Sequence, residues 1–346
     1  RMLPPAEPRG AEAAMAILVT GGAGFVGLNL VEALLARGEH VVIYGHEALP
    51  PAAAAAFATL PGRLDLVQGD VLDTTTLGAV FARYSIHALF PFAAITAGPR
   101  REAEQTEAIL EVNLIGVVHQ LRAARDAGVG RIVFPSSISV YGESQRLPGL
   151  LREDSTPPVP ISVYGITKYA GERLALRMRD LWGLDLVCAR IGGVFGPWER
   201  DTGLRDLLTP HMHLAVAALR GEAAVLPAQI FPRPWVYARD LARGLLLLLD
   251  APKPRWPVYN ISSGVEWGAR ILLWAETLAR HYPDFRWRQS ANPAEVTVPF
   301  HDDGPRAVED ISRMREEFGY APAFLPEAAY ADYLRWLQAT PGYLAA

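Results

Sequence analysis

The chain has 346 residues, half of them apolar and a fifth charged, with a formal net charge of −4. That composition excludes a disordered chain and gives enough apolar surface for about two domains. Its arginines are scattered, with no run of Lys or Arg, which argues against a nucleic-acid partner.

Residues 1–14, "RMLPPAEPRGAEAA", are rich in Pro and Ala and lack the apolar core of a signal peptide, so they read as a disordered or upstream extension, with Met15 as the start. From Ala16 the pattern is strand, turn, helix, strand: "AILVT", the glycine turn "GGAGFVG", the amphipathic "LNLVEALLARG" and "HVVIYG". Further units follow in "LDLVQGDV", a helix near 74–84, "HALFPFAA", a helix near 105–127 and "RIVFPSS". Cys188, the one cysteine, lies in the apolar run "LDLVCARI". It excludes an internal disulfide and reads as a buried strand residue in a reducing, cytoplasmic compartment. The later run "LLLLL" at 245–249 is far short of the roughly 20 residues a membrane span needs.

Strands alternating with helices of this length imply an α/β fold, a Rossmann-type doubly wound parallel sheet, over residues 15–193. Beyond it the regularity weakens, and 194–346 reads as a smaller α/β substrate-binding domain, with segments around 231–262 returning to the main sheet.

Gly21, Gly24 and Gly27 follow a strand and open a helix. The first permits a tight turn, the second lets backbone approach a pyrophosphate, the third allows close packing, and the helix N-terminus supplies N–H groups. An acid usually ends the second strand and holds the ribose hydroxyls, but here Gly45 occupies that place. No Arg or Lys follows to take a 2′-phosphate, and Glu47 would repel one, so NAD is favoured over NADP. Asp70 is either an adenine contact or a surface carboxylate.

Tyr164 and Lys168 in "YGITK" share one helical face. A free phenol, with a pKa of about 10, is no base at neutral pH. A nearby ammonium and an oxidised nicotinamide would favour the phenolate, which could then take a proton from a carbinol. Upstream, Ser137 in "FPSSISVYG" ends a strand where α/β sheets bind ligands, and could hold the reacting oxygen or merely cap a turn.

Together, "TGGAGFVG", Asn113 in "EVNLIG", "SSISVYG" and "YGITK" resemble the extended short-chain dehydrogenase/reductases, the NAD-dependent epimerase/dehydratase group that includes UDP-galactose 4-epimerase, over roughly 16–338. The resemblance implies Tyr164 as general base, Lys168 on the cofactor ribose and Ser137 on the oxygen. It implies a cofactor along Gly21, Gly24, Phe25, Val26, Gly27, Gly45, His46, Asp70, Val71, Phe92, Ala93, Ala94, Asn113, Tyr164 and Lys168. Substrate contacts would come from Thr96, Ser137, Ser139, Gly193, Arg233 and Asp303. It also suggests a homodimer through the helices of Asn113 and Tyr164; Leu114, Val117, Val118 and Leu121 would fit that bundle or bury against the sheet.

Members that dehydrate carry Asp-Glu after the catalytic hydroxyl, whereas this chain has Ile138 and Ser139. Epimerisation through a C–H acid needs a second acid/base pair, and Cys188 is poorly placed to supply it. Oxidation, or oxidation followed by reduction from the other face, remains. Gly193 replaces the family's Asn in "RIGGVFG", "LTPHMHL" replaces its "NNL" segment, and Phe300 stands near a phosphate-binding Arg. Arg233 matches the diphosphate clamp, although an Arg fork suits any phosphate or carboxylate. The expected substrate is therefore an anionic, carbohydrate-type alcohol. His211 and His213 either line the pocket or stay solvated, Trp198 and Trp235 read first as packing residues, and no metal-ligand spacing is present. An epimerase that keeps its cofactor and a net dehydrogenase of a smaller sugar or sugar acid both fit; a non-catalytic sensor is a remote third reading, because Tyr164 and Lys168 are both present.

Overall fold

A computed structural model describes residues 15–300 and 304–344. Seven parallel strands form its centre: β1 (Ala16–Thr20), β2 (His40–Gly45), β3 (Arg63–Gln68), β4 (Ile86–Pro91), β5 (Arg131–Ser137), β6 (Leu186–Ile191) and β7 (Val258–Ile261). Their spatial order is β7-β6-β5-β4-β1-β2-β3. Every residue of β1, β5 and β6 is buried, as a sheet covered on both faces requires. Edge strand β3 alternates instead, with Leu66 exposed.

The chain turns back between β1 and β4, so the connections leaving them run in opposite directions. A crevice opens there at the carboxyl ends of the strands. Helix α1 (Phe25–Ala36) starts at its floor, and helix α2 (Gly116–Ala127) follows a short π-helical stretch, Glu111–Ile115. Helix α3 (Val163–Trp182) begins where the Ser162 hydroxyl caps the Gly165 N–H, and ends at left-handed Gly183.

A buried ion pair fixes α3 against the sheet. Both Glu172 oxygens accept from Arg190 of β6, at 2.7 and 3.0 Å, and Ser136 of β5 donates to Glu172 at 2.6 Å. The Arg190 guanidinium also lies over the Tyr141 ring. One turn further toward the helix start, this anchor sets the height of Lys168.

The segment after β6 forms a second layer. Strands Ala223–Pro227 and Arg286–Ser290 pair in parallel. Helices Pro210–Arg220, Ile271–His281 and Pro326–Ala339 surround an aromatic cluster of Phe195, Trp267, Trp274, Tyr330 and Tyr333. This cluster is continuous with the α1 side of the sheet core. Trp198 packs there too, against Phe57, Trp336 and Tyr343. Val117 and Leu121 are buried in the chain's own core, while Leu110, Ile115 and Ile166 are exposed. Among the described residues no helix is long and apolar enough to cross a membrane.

Candidate active site

A cavity of about 430 Å³ occupies the crevice. Its wall takes in the strand ends in turn: Gly21 after β1, Gly45 ending β2, Gly69 after β3, Phe92 after β4, Ser137 ending β5 and Gly192 after β6.

The glycine turn is built to keep side chains out. Gly21 is left-handed (φ +62°), and a Cβ there would lie 2.9 Å from Ala93 backbone. A Cβ on Gly27 would lie 2.7 Å from the Gly21 carbonyl oxygen and the Gly22 Cα. Gly24 starts α1 without a side-chain cap, leaving the helix's first N–H groups directed at the groove. Phe25, Val26, Ala93 and Ala94 complete this stretch of wall. The cradle suits a pyrophosphate, because only bare backbone can approach an anion so closely.

At the other end stand Thr96, Ser137, Tyr164 and Lys168, all facing the same cavity. Lys168 Nζ donates to the Pro135 carbonyl at 3.0 Å and lies 5.8 Å from the Tyr164 ring centre. Burial pushes the ammonium down to about 8. Burial pushes the Tyr164 phenol up, while hydrogen bonding to Ser137, the Arg205 charge and hydrogen bonding to Thr96 pull it down. Arg205 thus contributes a charge that favours the phenolate. Arg205 lines the cavity, lies over the Phe25 ring at 4.9 Å and pairs with buried Glu199 at 3.3 Å.

Asn113 is buried behind the wall instead of lining it. Its amide oxygen accepts from the Ile95 N–H at 2.8 Å, its amide nitrogen donates to the Ile95 carbonyl at 3.0 Å, and Thr167 takes a third bond. In this arrangement Asn113 fixes the backbone that carries Thr96. The π-helical stretch presents it, and Gly116 passes Val71 so closely that a Cβ would meet it at 2.7 Å.

Ser139 also stands behind the wall, hydrogen-bonded to the Ser137 hydroxyl at 3.1 Å. Gly193 lines the cavity beside Trp235. Arg233 does not line it: its guanidinium lies over Trp235 and donates to the Phe300 carbonyl at 3.2 Å. His211 is buried against Phe195, and burial together with the Arg233 charge holds it neutral. Asp303 lies outside the described residues.

At the β2 end the cavity is lined by Gly45, His46, Glu47, Asp70 and Val71. Asp70 uses one oxygen to cap Leu72 and faces His46 with the other at 3.3 Å. Arg200 arrives here from beyond β6 and donates to Glu47 at 2.8 Å. Chain order therefore misleads at this corner: no cation follows Gly45 in sequence, yet one reaches it in space. Arg200 and Arg205 were missed because they lie in an aperiodic, Pro- and Gly-rich stretch; its position just after a sheet strand was the one available signal.

A model of the NAD dependent epimerase/dehydratase family matches residues 17–262. The chain belongs to that family. It is 28% identical to UDP-glucuronate 4-epimerase 1 of Arabidopsis thaliana, over 95% of this chain and 78% of that protein. It is 28% identical to a UDP-glucose 4-epimerase of Streptomyces lividans, over 94% and 97% of the two chains. Among solved structures, MoeE5 in complex with UDP-glucose and NAD aligns at a TM-score of 0.72 with 26% identity, covering 94% of this chain and 99% of that one.

As a member of this NAD-dependent family the protein is an enzyme that works with a nicotinamide dinucleotide. The cavity fits that group: a side-chain-free cradle at α1 and a hydroxyl-rich end under Tyr164 are spanned by one continuous wall. Among the described residues no group of three or more His, Cys, Asp or Glu could hold a metal ion.

Proposed function

We propose that this enzyme inverts a carbinol of a nucleotide-activated sugar, with Ser137, Tyr164 and Lys168 as its catalytic residues. The observation that carries the reading is the convergence of Thr96, Ser137 and Tyr164 on one end of the groove whose other end is the glycine cradle. Similarity to two kinds of UDP-sugar 4-epimerase over nearly the whole chain supports the substrate class.

A bound nicotinamide dinucleotide supplies the reversible redox capacity. The chain supplies the proton chemistry. Tyr164 removes the hydroxyl proton as the carbinol is oxidised and returns it to the oxygen when the carbonyl is reduced from the other face. Ser137 and Thr96 hold that oxygen through both changes of charge. Lys168, held by Pro135, positions the cofactor ribose. On this reading residues 15–193 and 258–261 bind the cofactor, and the later segments close over the sugar.

The second reading is a net dehydrogenase of a smaller sugar or sugar acid. Gly193 and Phe300 in place of nucleotide contacts, and Arg233 outside the cavity wall, favour it. Incubating the protein with UDP-glucuronate, UDP-glucose, free sugars and sugar acids, while following 340 nm absorbance and chromatographing products, separates the two. An isomer of a UDP-sugar without net absorbance change is expected. Stoichiometric reduced cofactor from a free sugar would establish the second reading. In either case Tyr164→Phe should lower turnover about 10²- to 10⁴-fold with cofactor binding retained.

Exposed Leu110, Ile115 and Ile166 support a homodimer through the helices around Asn113 and Tyr164. Sedimentation velocity tests it, and a monomer at micromolar concentration would refute it.

A further inference from the structure

We propose that Glu47 and Arg200 form a charge pair that reads the 2′ position of the cofactor's adenosine ribose, with Glu47 in the role left vacant at the end of β2. The inference rests on the cavity being the dinucleotide site and needs nothing from the sugar chemistry.

Three observations carry it. First, Gly45 is not demanded by packing: a Cβ there would meet only ordinary contacts, the nearest at 3.5 Å, and its φ is not left-handed. The corner where a carboxylate would reach the ribose is therefore open. Second, Glu47 and Arg200 both line that corner, joined at 2.8 Å with both side chains about three-quarters buried. Third, Arg200 is set in place by its neighbours. Trp198, two residues before it, holds a left-handed backbone (φ +67°). The Trp198 indole N–H donates to Glu32 at 2.7 Å, and its carbonyl accepts from the Tyr343 hydroxyl. The guanidinium therefore arrives on an anchored segment.

A lone arginine beside an open ribose corner is a 2′-phosphate receptor, because its fork matches phosphate oxygens. Glu47 changes that. Its carboxylate occupies one arm of the fork, accepts well from a ribose hydroxyl and repels a phosphate dianion. The other titratable groups at this corner are His46, which faces Asp70 at 3.3 Å and whose positive charge acts on Glu47, and Tyr343, whose hydroxyl meets Arg200.

The test is equilibrium binding of NADH and NADPH, by nucleotide fluorescence, to full-length protein freed of bound nucleotide. Wild type should prefer NADH. In Glu47→Gln one charged hydrogen bond to the ribose is lost and the fork is released, so NADH affinity should fall and NADPH affinity should rise, each by about 10-fold. The double variant Glu47→Gln with Arg200→Gln should lose the NADPH gain. Arg200→Gln alone should move the preference further toward NADH, and it decides the matter if Glu47→Gln does not fold. A Glu47→Gln ratio within about threefold of wild type at an unchanged melting temperature would overturn the proposal, as would a NADPH gain that survives Arg200→Gln. Wild type that binds neither nucleotide would instead sink the reading of the cavity itself.

Discussion

Thr96 and Arg205 are paired in a parallel β-bridge across the cavity mouth. Through it the segment after β6 brings a guanidinium into the cavity that Tyr164 faces, and this cation, with Ser137 and Thr96, works against the burial that raises the phenol. A general base must lose its proton to act, so a raised phenol pKa moves the acid limb of the rate profile to higher pH. Arg205→Gln removes a charge that lowers the pKa, and the limb should move up; Arg205→Lys should hold it near the wild-type position. The pH dependence of kcat/KM for both variants checks this, and an unmoved limb in Arg205→Gln would show that the charge does not reach the phenol.

Lys168 gives a prediction of stability rather than rate. Its pKa falls from 10.5 to about 8 on folding, by burial. Below pH 8 both states carry the proton, and folding bears the full cost of the desolvated ammonium. Between pH 8 and 10.5 the folded state has shed the proton while the unfolded state has not, so the cost is progressively relieved. Lys168→Met removes it at every pH. The stability difference between the variant and wild type should therefore shift toward wild type by on the order of 3 kcal/mol from pH 7 to pH 10.5. Urea titrations at a series of pH values measure it, and a pH-independent difference would contradict the burial.

The Glu172–Arg190 pair tests how α3 is held. Glu172→Ala leaves a buried guanidinium without its partner and should cost about 3–5 kcal/mol. Replacing both residues by Met should cost far less, because the desolvation of both charges is then avoided. Chemical denaturation of the two variants decides it. Equal losses would mean that the pair's charges do not govern the anchor.

The strands were legible because period and turn chemistry are local. "AILVT", "HVVIYG" and "RIVFPSS" coincide with β1, β2 and β5, and the Gly21–Gly24–Gly27 spacing announced the cradle. The helix read near 105–127 is interrupted by a π-helical stretch that presents Asn113 inward, a distortion that apolar periodicity does not register. Arg200, Arg205 and Arg233 show the larger limit. All three lie after β6 in segments without period, where position is set by tertiary anchors such as Trp198 and Trp235. The family resemblance pointed to Arg233 as an anion clamp, whereas the arginines in the cavity wall are Arg200 and Arg205.

Two glycines with opposite surroundings give the last prediction. At Gly27 a Cβ would sit 2.7 Å from backbone atoms of Gly21 and Gly22, which cannot rotate away as a side chain can. Gly27→Ala must push α1 from the turn, at a cost of about 1–3 kcal/mol. NADH affinity should fall with it, because the first N–H groups of α1 lose their aim. Gly78, exposed in the helix Thr74–Arg83, has nothing within 4 Å of its would-be Cβ. Gly78→Ala should stabilise by about 0.5–1 kcal/mol, through helix propensity alone, and leave NADH binding unchanged. Thermal melts with and without NADH separate the two effects: at Gly27 the cofactor-induced rise in melting temperature should shrink, and at Gly78 it should persist on a higher baseline. A full cofactor-induced rise in Gly27→Ala would mean that the close packing at the third glycine is not what aims the helix.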